Sequence, residues 1–288
     1  MSTAVCDGIM TRYEVLGSGP PLLMFSPGGF NATIKNWSTF SIYARLHFLD
    51  HLPRAFSCIV FDKRESGESG GRLERLTWQH YVAQGIGLLD HLGVARAHMM
   101  GGCIGCSIAA TLASRHADRV ERVVLYSPAG GHYYRRTQLG RFAKHLAYVS
   151  QSGLEGVVAL ARATESTFAQ DPRIGPWASV IRRDAEFAGE YAGRDVGEYS
   201  TIVDETASGL FDSDDVPGSP FPAAAPALVV AGGDANHPPE AARYLADSLP
   251  QADLWDVATE AQTEETAPLR ILQFFGESSD SPRSSAAI

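Results

Sequence analysis

The sequence predicts an α/β protein whose mostly parallel, doubly wound sheet carries an inserted helical segment. Short apolar runs of strand length alternate with stretches in which apolar residues recur at helical spacing, a pattern typical of parallel sheets covered by helices. The alternation stops between about residues 132 and 222, where helix formers, aromatic residues and arginines are frequent. A glycine-rich turn at residues 101–105 separates a predicted strand from a predicted helix. In such sheets the ligand site lies at the carboxyl ends of the strands.

Six apolar runs predict the strands. They are Pro21–Phe25, Ser57–Phe61, Ala97–Met100, Val123–Tyr126, Pro226–Ala231 and Leu254–Val257. Helical spacing of apolar residues predicts helices over Trp37–Asp50 and Trp78–Leu92, and a third helix directly after Cys103, where Ile108 and Leu112 recur on one face.

The same patterns divide the chain into domains. We expect a core of residues 1–131 and 223–276 and a helical cap of residues 132–222. A cap inserted between two strands is well placed to roof a pocket at the strand ends, and the alternative is a surface decoration of the core. Residues 277–288 are rich in serine and have little to bury, which predicts a disordered tail.

The composition argues against several classes of partner. The net charge of -9 offers no basic stripe for nucleic acid, and no segment reaches the roughly 18 apolar residues of a membrane span. The first residues lack the features of a secretory signal, so we expect a cytoplasmic protein with reduced thiols. The cysteines and histidines match no zinc spacing, and we expect neither a metal nor a cofactor. The expected partner is a small-molecule substrate, and a homodimer remains open.

The turn at residues 101–105, with the sequence Gly-Gly-Cys-Ile-Gly, places Cys103 where the G-x-S-x-G nucleophile elbow carries its serine. Strand, sharp turn and helix would hold this side chain above the sheet at a helix N-terminus. The alternative is a glycine-rich turn with a small buried cysteine.

Four motifs occur in an order that resembles the α/β-hydrolase superfamily from about Tyr13 to Phe275. They are an oxyanion-type loop at Phe25–Phe30, a D-x-R-G-x-G-x-S-like turn at Asp62–Ser69, the elbow at Gly101–Gly105 and an acid loop at Gly232–Pro238. The resemblance implies an α/β-hydrolase fold and a hydrolytic activity. It also implies that Cys103 is the nucleophile, that Asp234 is the acid, and that the backbone N–H groups of Gly29 and Ile104 form the oxyanion hole.

The chain departs from that pattern in two places. Pro27 stands where the oxyanion loop of relatives often has histidine, which leaves the glycine amides after it free to donate. No histidine follows His237, and Ala261 and Gln262 stand where relatives carry the catalytic histidine. A Ser-His-Asp triad in the usual order is therefore impossible in this sequence.

A cysteine nucleophile is consistent with that loss. A thiol ionises near pH 8.5 or lower at a helix N-terminus, so cysteine can attack without a base, whereas serine cannot. Without a proton donor, good leaving groups are favoured, such as those of thioesters, enol lactones and β-dicarbonyl compounds. His237, three residues after Asp234, is a candidate substitute base, and the alternative is a loop histidine that caps a helix or binds solvent.

Three further residues are candidates for substrate binding. Phe30 ends the predicted oxyanion loop, and His132 follows two glycines that would allow a close approach to a ligand. Gln262 could also hydrogen-bond Asp234 in place of the lost histidine.

These observations favour a hydrolase or acyl transferase that acts on an activated ester, thioester, lactone or β-dicarbonyl through a thioester on Cys103. One alternative is an epimerase, cyclase or lyase of a biosynthetic pathway in which Asp234 or His237 moves a proton without a covalent intermediate. Another alternative is a ligand-binding protein without catalysis.

Overall fold

The computed structural model describes residues 1–211 and 225–276, and it contains an eight-stranded sheet in the order β1-β2-β4-β3-β5-β6-β7-β8. Strand β2 is antiparallel to β1 and β4, and the other pairs are parallel. The strands are β1 (Ser2–Cys6), β2 (Ile9–Leu16), β3 (Pro21–Phe25), β4 (Ser57–Phe61), β5 (Ala97–Gly102), β6 (Val120–Tyr126), β7 (Ala227–Val230) and β8 (Ala252–Trp255). The predicted α/β class with a mostly parallel sheet is confirmed.

Helices cover the sheet and form the segment between β6 and β7. The helices are α1 (Asn36–Thr39), α2 (Tyr43–Leu46), α3 (Phe48–His51), α4 (Trp78–His91), α5 (Gly105–Arg115), α6 (Gly131–Ala163), α7 (Ala178–Arg183), α8 (Ala185–Ala192), α9 (Val196–Phe211), α10 (Pro239–Ser248) and α11 (Thr266–Gly276). Helix α5 packs on β3, β5 and β6, and α10 packs on β7 and β8. Helix α6 contains a break at Gly153, whose φ of 66° is left-handed.

The segment between β6 and β7 is helical, as predicted, over the residues that the structure describes. Its helices α7, α8 and α9 pack against α6. A buried chain of polar side chains joins them, since His145 Nε2 lies 2.5 Å from the Tyr199 hydroxyl, which accepts a hydrogen bond from Tyr191. The predicted cap boundary at residue 222 and the predicted tail at 277–288 lie outside the described residues.

Three element predictions need correction. The helix predicted over Trp37–Asp50 is three single turns, because Ser41 and His47 adopt left-handed φ values of 47° and 48° that interrupt it. The last strand begins two residues earlier than predicted. The hairpin of β1 and β2 was not predicted, although Asp7 and Gly8 have positive φ at its turn, and Asp-Gly is a strong hairpin signal.

The centre of the sheet is buried, because the side chains of Leu22–Phe25 in β3 and Cys58–Phe61 in β4 are at most 2% exposed. Both strands end at the same edge of the sheet, which brings the loops that follow them close together. Among the helices in the described ranges, none is long and apolar enough to cross a membrane.

Candidate active site

The turn between β5 and α5 holds Cys103 in a strained backbone conformation. Its φ is 55°, a left-handed value that costs a residue other than glycine about 1–3 kcal/mol. The flanking glycines are required by close backbone approaches. A Cβ atom on Gly101 would lie 2.3 Å from the carbonyl oxygen of Gly105, and one on Gly105 would lie 2.3 Å from that of Phe25. The spacing Gly-x-Cys-x-Gly is thus a steric requirement of this sharp turn.

Two backbone amides beside Cys103 are free to donate. The N–H groups of Gly29 and Ile104 make no hydrogen bond to any described residue. Gly29 lies in a loop fixed by Asn36, whose Nδ2 donates to the carbonyl oxygens of Pro27 and Asn31 at 2.7 and 2.6 Å. A rigid pair of free amides next to a nucleophile is the arrangement that stabilises an oxyanion.

The loop after β7 brings His237 against Asp234. Nδ1 of His237 lies 2.9 Å from each carboxylate oxygen of Asp234. One of these oxygens also accepts the backbone N–H groups of Asn236 and His237 at 2.8 and 3.1 Å. Burial alone would raise the pKa of Asp234, but these hydrogen bonds and the nearby imidazole hold it below its usual value. Asp234 is therefore a carboxylate that fixes the ring of His237.

The other nitrogen of His237 is buried near the thiol of Cys103. His237 is 7% exposed, and its Nε2 has no partner with hydrogen-bond geometry among the described residues. Burial lowers the pKa of His237, but the interactions with Cys103 and then Asp234 outweigh burial and raise that pKa to about 9. The thiol is thus close to the ring without being aligned to it.

A cavity of about 320 Å³ opens at these residues. Gly29, Phe30, Cys103 and His237 line it from the sheet side, and α6 and the segment after it close the other side. The ring of Phe30 makes edge-to-face contacts with Phe142 and Phe168 of the segment between β6 and β7. Phe30, a candidate for substrate binding, therefore borders the cavity.

Two residues predicted to bind substrate lie elsewhere. Gln262 is fully buried, accepts a hydrogen bond from the Tyr126 hydroxyl at 2.6 Å, and donates to the carbonyl oxygens of Ala231 and Val257. Its amide has no donor left for a substrate and makes no hydrogen bond with Asp234. His132 is exposed in the first turn of α6 and does not line the cavity. These placements correct both expectations.

Sequence reasoning missed the face of α6 that lines the cavity. Tyr134, Gln138 and Arg141 contribute this wall. Their spacing of four and three residues places them on one helix face, which is the signal that could have identified them.

Comparisons with known proteins are consistent with this geometry. A family model described as alpha/beta hydrolase fold matches residues 21–261. The enol-lactonase from Burkholderia xenovorans LB400 superposes with a TM-score of 0.63 at 22% identity, over 96% of this chain and 100% of the other. A meta-cleavage product hydrolase, CumD, superposes with a TM-score of 0.59 at 18% identity, over 96% and 98% of the two chains. At these identities the structural likeness shows the fold alone.

Curated relatives match over shorter stretches. A 2-hydroxymuconate semialdehyde hydrolase of Pseudomonas sp. is 30% identical over 130 residues, which are 44% of this chain and 42% of the relative. A dihydrolipoyllysine-residue acetyltransferase component of the acetoin cleaving system of Cupriavidus necator is 32% identical over 124 residues, 43% of this chain and 31% of the relative. The chain therefore matches less than half the length of either relative. The family model, by contrast, covers most of the chain, and the protein belongs to the alpha/beta hydrolase fold family.

Proposed function

We propose that this protein is a hydrolase or acyl transferase that acts on a small-molecule ester, thioester, lactone or β-dicarbonyl compound through a nucleophilic thiolate on Cys103. The observation that carries the proposal is the position of His237, which is bound to Asp234 through Nδ1 and has its buried Nε2 beside Cys103. His237 thus replaces the catalytic histidine of relatives, whose position after the last strand is occupied here by Ala261 and Gln262.

The acylation step uses the groups already described. The thiolate sulfur of Cys103 attacks the substrate carbonyl carbon, and the carbonyl oxygen becomes an anion that accepts from the amides of Gly29 and Ile104. When the carbonyl reforms, the bond to the leaving group breaks, and the imidazolium of His237 gives its Nε2 proton to that group. For a β-dicarbonyl the leaving group is an enolate carbon, which takes the same proton.

The deacylation step returns the enzyme to its starting state. Acylation removes the thiolate charge that raised the pKa of His237, so the ring becomes a better base. Nε2 of His237 then removes a proton from water or an acceptor alcohol or thiol, which attacks the thioester carbonyl. The thioester bond breaks, the product acid or acyl compound leaves, and the thiolate–imidazolium pair forms again.

Intact-mass measurement with an activated acyl compound such as p-nitrophenyl acetate tests the proposal. We expect the wild type to gain the mass of one acetyl group on Cys103, and H237N to hold this adduct longer because deacylation lacks its base. C103A should form no adduct and lose turnover. Full turnover by C103A would contradict the proposal, because hydrolysis would then not need the thiolate. Binding without any turnover in the wild type would favour a ligand-binding protein.

A further inference from the structure

A lysine near the oxyanion loop is buried without a partner. Lys63 follows β4 and is 6% exposed, and its backbone N–H donates to the Ala32 carbonyl oxygen at 3.0 Å. Its Nζ lies over the rings of Tyr81 and Phe30, 4.1 and 4.9 Å from their centroids, and makes no hydrogen bond or ion pair with any described residue. A buried ammonium is costly unless an anion or hydrogen-bond acceptor accompanies it, and two ring faces compensate only in part.

A neighbouring carboxylate, Glu65, is engaged through one oxygen only, and its buried Oε2 has no hydrogen-bond partner among the described residues. Glu65, two residues after Lys63, pairs with Nε of Arg64 at 2.9 Å, and Arg64 also contacts Glu74 and Asp7. Arg64 is fully buried and has several acidic neighbours, whereas Lys63 has no carboxylate within ion-pair distance. Lys63 therefore has no ion-pair partner among the described residues, although the negative charge of Glu65 acts on it from beyond ion-pair distance.

Two further donors at the same place lack acceptors. Nε1 of Trp78 and the hydroxyl of Tyr81 are buried and have no hydrogen-bond partner among the described residues. Together with Lys63, they line a small chamber of about 10 Å³, which has room for about one oxygen atom or water molecule. Buried donors are nearly always paired in native proteins, so two unpaired donors and a lysine beside one chamber point to an acceptor that binds there.

The chamber adjoins the cavity at Cys103. Gly29, Phe30, Tyr134 and Gln138 line both spaces, and Ile104 also borders the chamber. A ligand that extends past these shared residues would place one terminal oxygen in the chamber while its carbonyl group stays near Cys103.

We propose that this chamber is an anion subsite, in which Lys63, assisted by Trp78 and Tyr81, binds one oxygen of a carboxylate carried by the acyl part of the substrate. The inference rests on the proposed acyl chemistry at Cys103 and narrows its substrates to monoesters, monothioesters or lactones of dicarboxylic acids. The small volume and apolar walls disfavour phosphate and sulfonate groups, because each has three oxygens to accommodate.

A matched pair of substrates tests the subsite. We expect the wild type to hydrolyse the ethyl monothioester of glutaric acid with a lower KM than the neutral ethyl thioester of pentanoic acid. K63M should raise the KM for the acidic thioester about tenfold or more and change the neutral reaction less than about threefold, because only the acidic acyl group uses the ammonium. The control K144M removes an exposed lysine of α6 and should alter neither reaction.

Calorimetric titration of the C103A protein with glutarate gives a readout that does not depend on turnover. Glutarate should bind C103A and bind the double variant C103A/K63M at least about tenfold more weakly. K63R is included in case the K63M side chain disturbs folding, and it should retain glutarate binding.

The two experiments distinguish failure of the carboxylate subsite from failure of the acyl chemistry at Cys103. An unchanged glutarate affinity in C103A/K63M means that the chamber holds only water and overturns the subsite. An equal loss of kcat for both thioesters in K63M places Lys63 at the developing oxyanion and also overturns carboxylate recognition. If glutarate binding depends on Lys63 but no acyl adduct forms on Cys103, the subsite stands and the proposed acyl chemistry fails.

Discussion

At the scale of single residues, the proposed chemistry depends on a charge pair between Cys103 and His237. The pKa of His237 is raised to about 9, so the ring is protonated at neutral pH and can stabilise the thiolate. Asp234 fixes the other ring nitrogen, which prevents the imidazole from turning away. In the proposed mechanism, the reactivity of the thiol therefore depends on a ring supplied by a different loop.

The rate of Cys103 alkylation reports this pair directly. We expect H237N to react with iodoacetamide at pH 7 about tenfold more slowly than the wild type, or slower still, because the imidazolium that favours the thiolate is gone. The rate is measured by intact mass with C103A as the blank. H132N removes an exposed histidine outside the cavity and should react like the wild type. Equal rates in H237N and the wild type would refute the charge pair.

The pH dependence of acylation tests whether His237 donates a proton to the leaving group. A group whose pKa is raised keeps its proton until the pH rises through that value, so His237 can protonate the leaving group only below about pH 9. With an ethyl thioester, whose thiolate leaving group takes a proton, the rate of the acylation burst should therefore fall above about pH 9 in the wild type. H237N should lack this decline and show a slow reaction that increases with thiolate formation. A wild-type burst that still accelerates at pH 10 would contradict proton donation by His237.

Candidate site residues could be predicted from the sequence where the features that mark them lie close by in the chain. Cys103 is marked by its turn, and His237 is marked by its distance of three residues from Asp234. The surroundings of Gln262 and Lys63 could not be predicted in this way, because they are set by residues distant in sequence. The amide of Gln262 is occupied by Tyr126 and two carbonyl groups, whereas Lys63 is notable for lacking partners. Neither condition can be inferred from local spacing.

At the scale of elements, the bounds of a strand could be predicted where nearly every residue of the strand is apolar and buried. Pro21–Phe25 and Ser57–Phe61 have the predicted bounds because uninterrupted apolar runs are typical of central parallel strands. The region Trp37–Asp50 has a helical pattern but breaks into single turns, since its path is set by packing against the core. Trp37, Tyr43 and Phe48 form one buried aromatic cluster there. Tertiary packing thus overrides helical periodicity in that segment.

The elbow makes a further prediction at this scale. We expect G101A to lower the free energy of unfolding by about 2–3 kcal/mol, because its Cβ would lie 2.3 Å from the Gly105 carbonyl oxygen and the backbone must shift. Urea denaturation measures the change. G140A is the matched control, since no atom lies within 4 Å of an added Cβ at that helical glycine, and it should be neutral or stabilising by up to about 1 kcal/mol. Equal stability of G101A and G140A would show that the turn is not sterically constrained.

At the scale of the whole molecule, the sheet and the helices between β6 and β7 meet at the cavity. Their contact is an aromatic cluster in which the rings of Phe30, Phe142 and Phe168 stand edge to face, with centroids 5.2–5.6 Å apart. Phe30 belongs to the oxyanion loop, and the other two belong to the helical segment. The cluster therefore joins the wall of the cavity to the loop that carries Gly29.

Truncation of one ring tests whether this contact affects substrate binding separately from its effect on the stability of the fold. F168A removes a side chain that is 5% exposed and lines the cavity, so it should destabilise folding by about 2–4 kcal/mol and raise KM severalfold by loosening the cavity wall. F187A removes a ring of α8 that is 8% exposed and packs on Tyr191 away from the cavity. It should cost comparable stability in thermal unfolding but leave KM within about twofold, because lost packing alone does not reshape the site. An equal rise of KM in both variants would contradict this expectation. The aromatic cluster would then affect substrate binding only by keeping the helical segment folded, and not through its contact with the loop that carries Phe30.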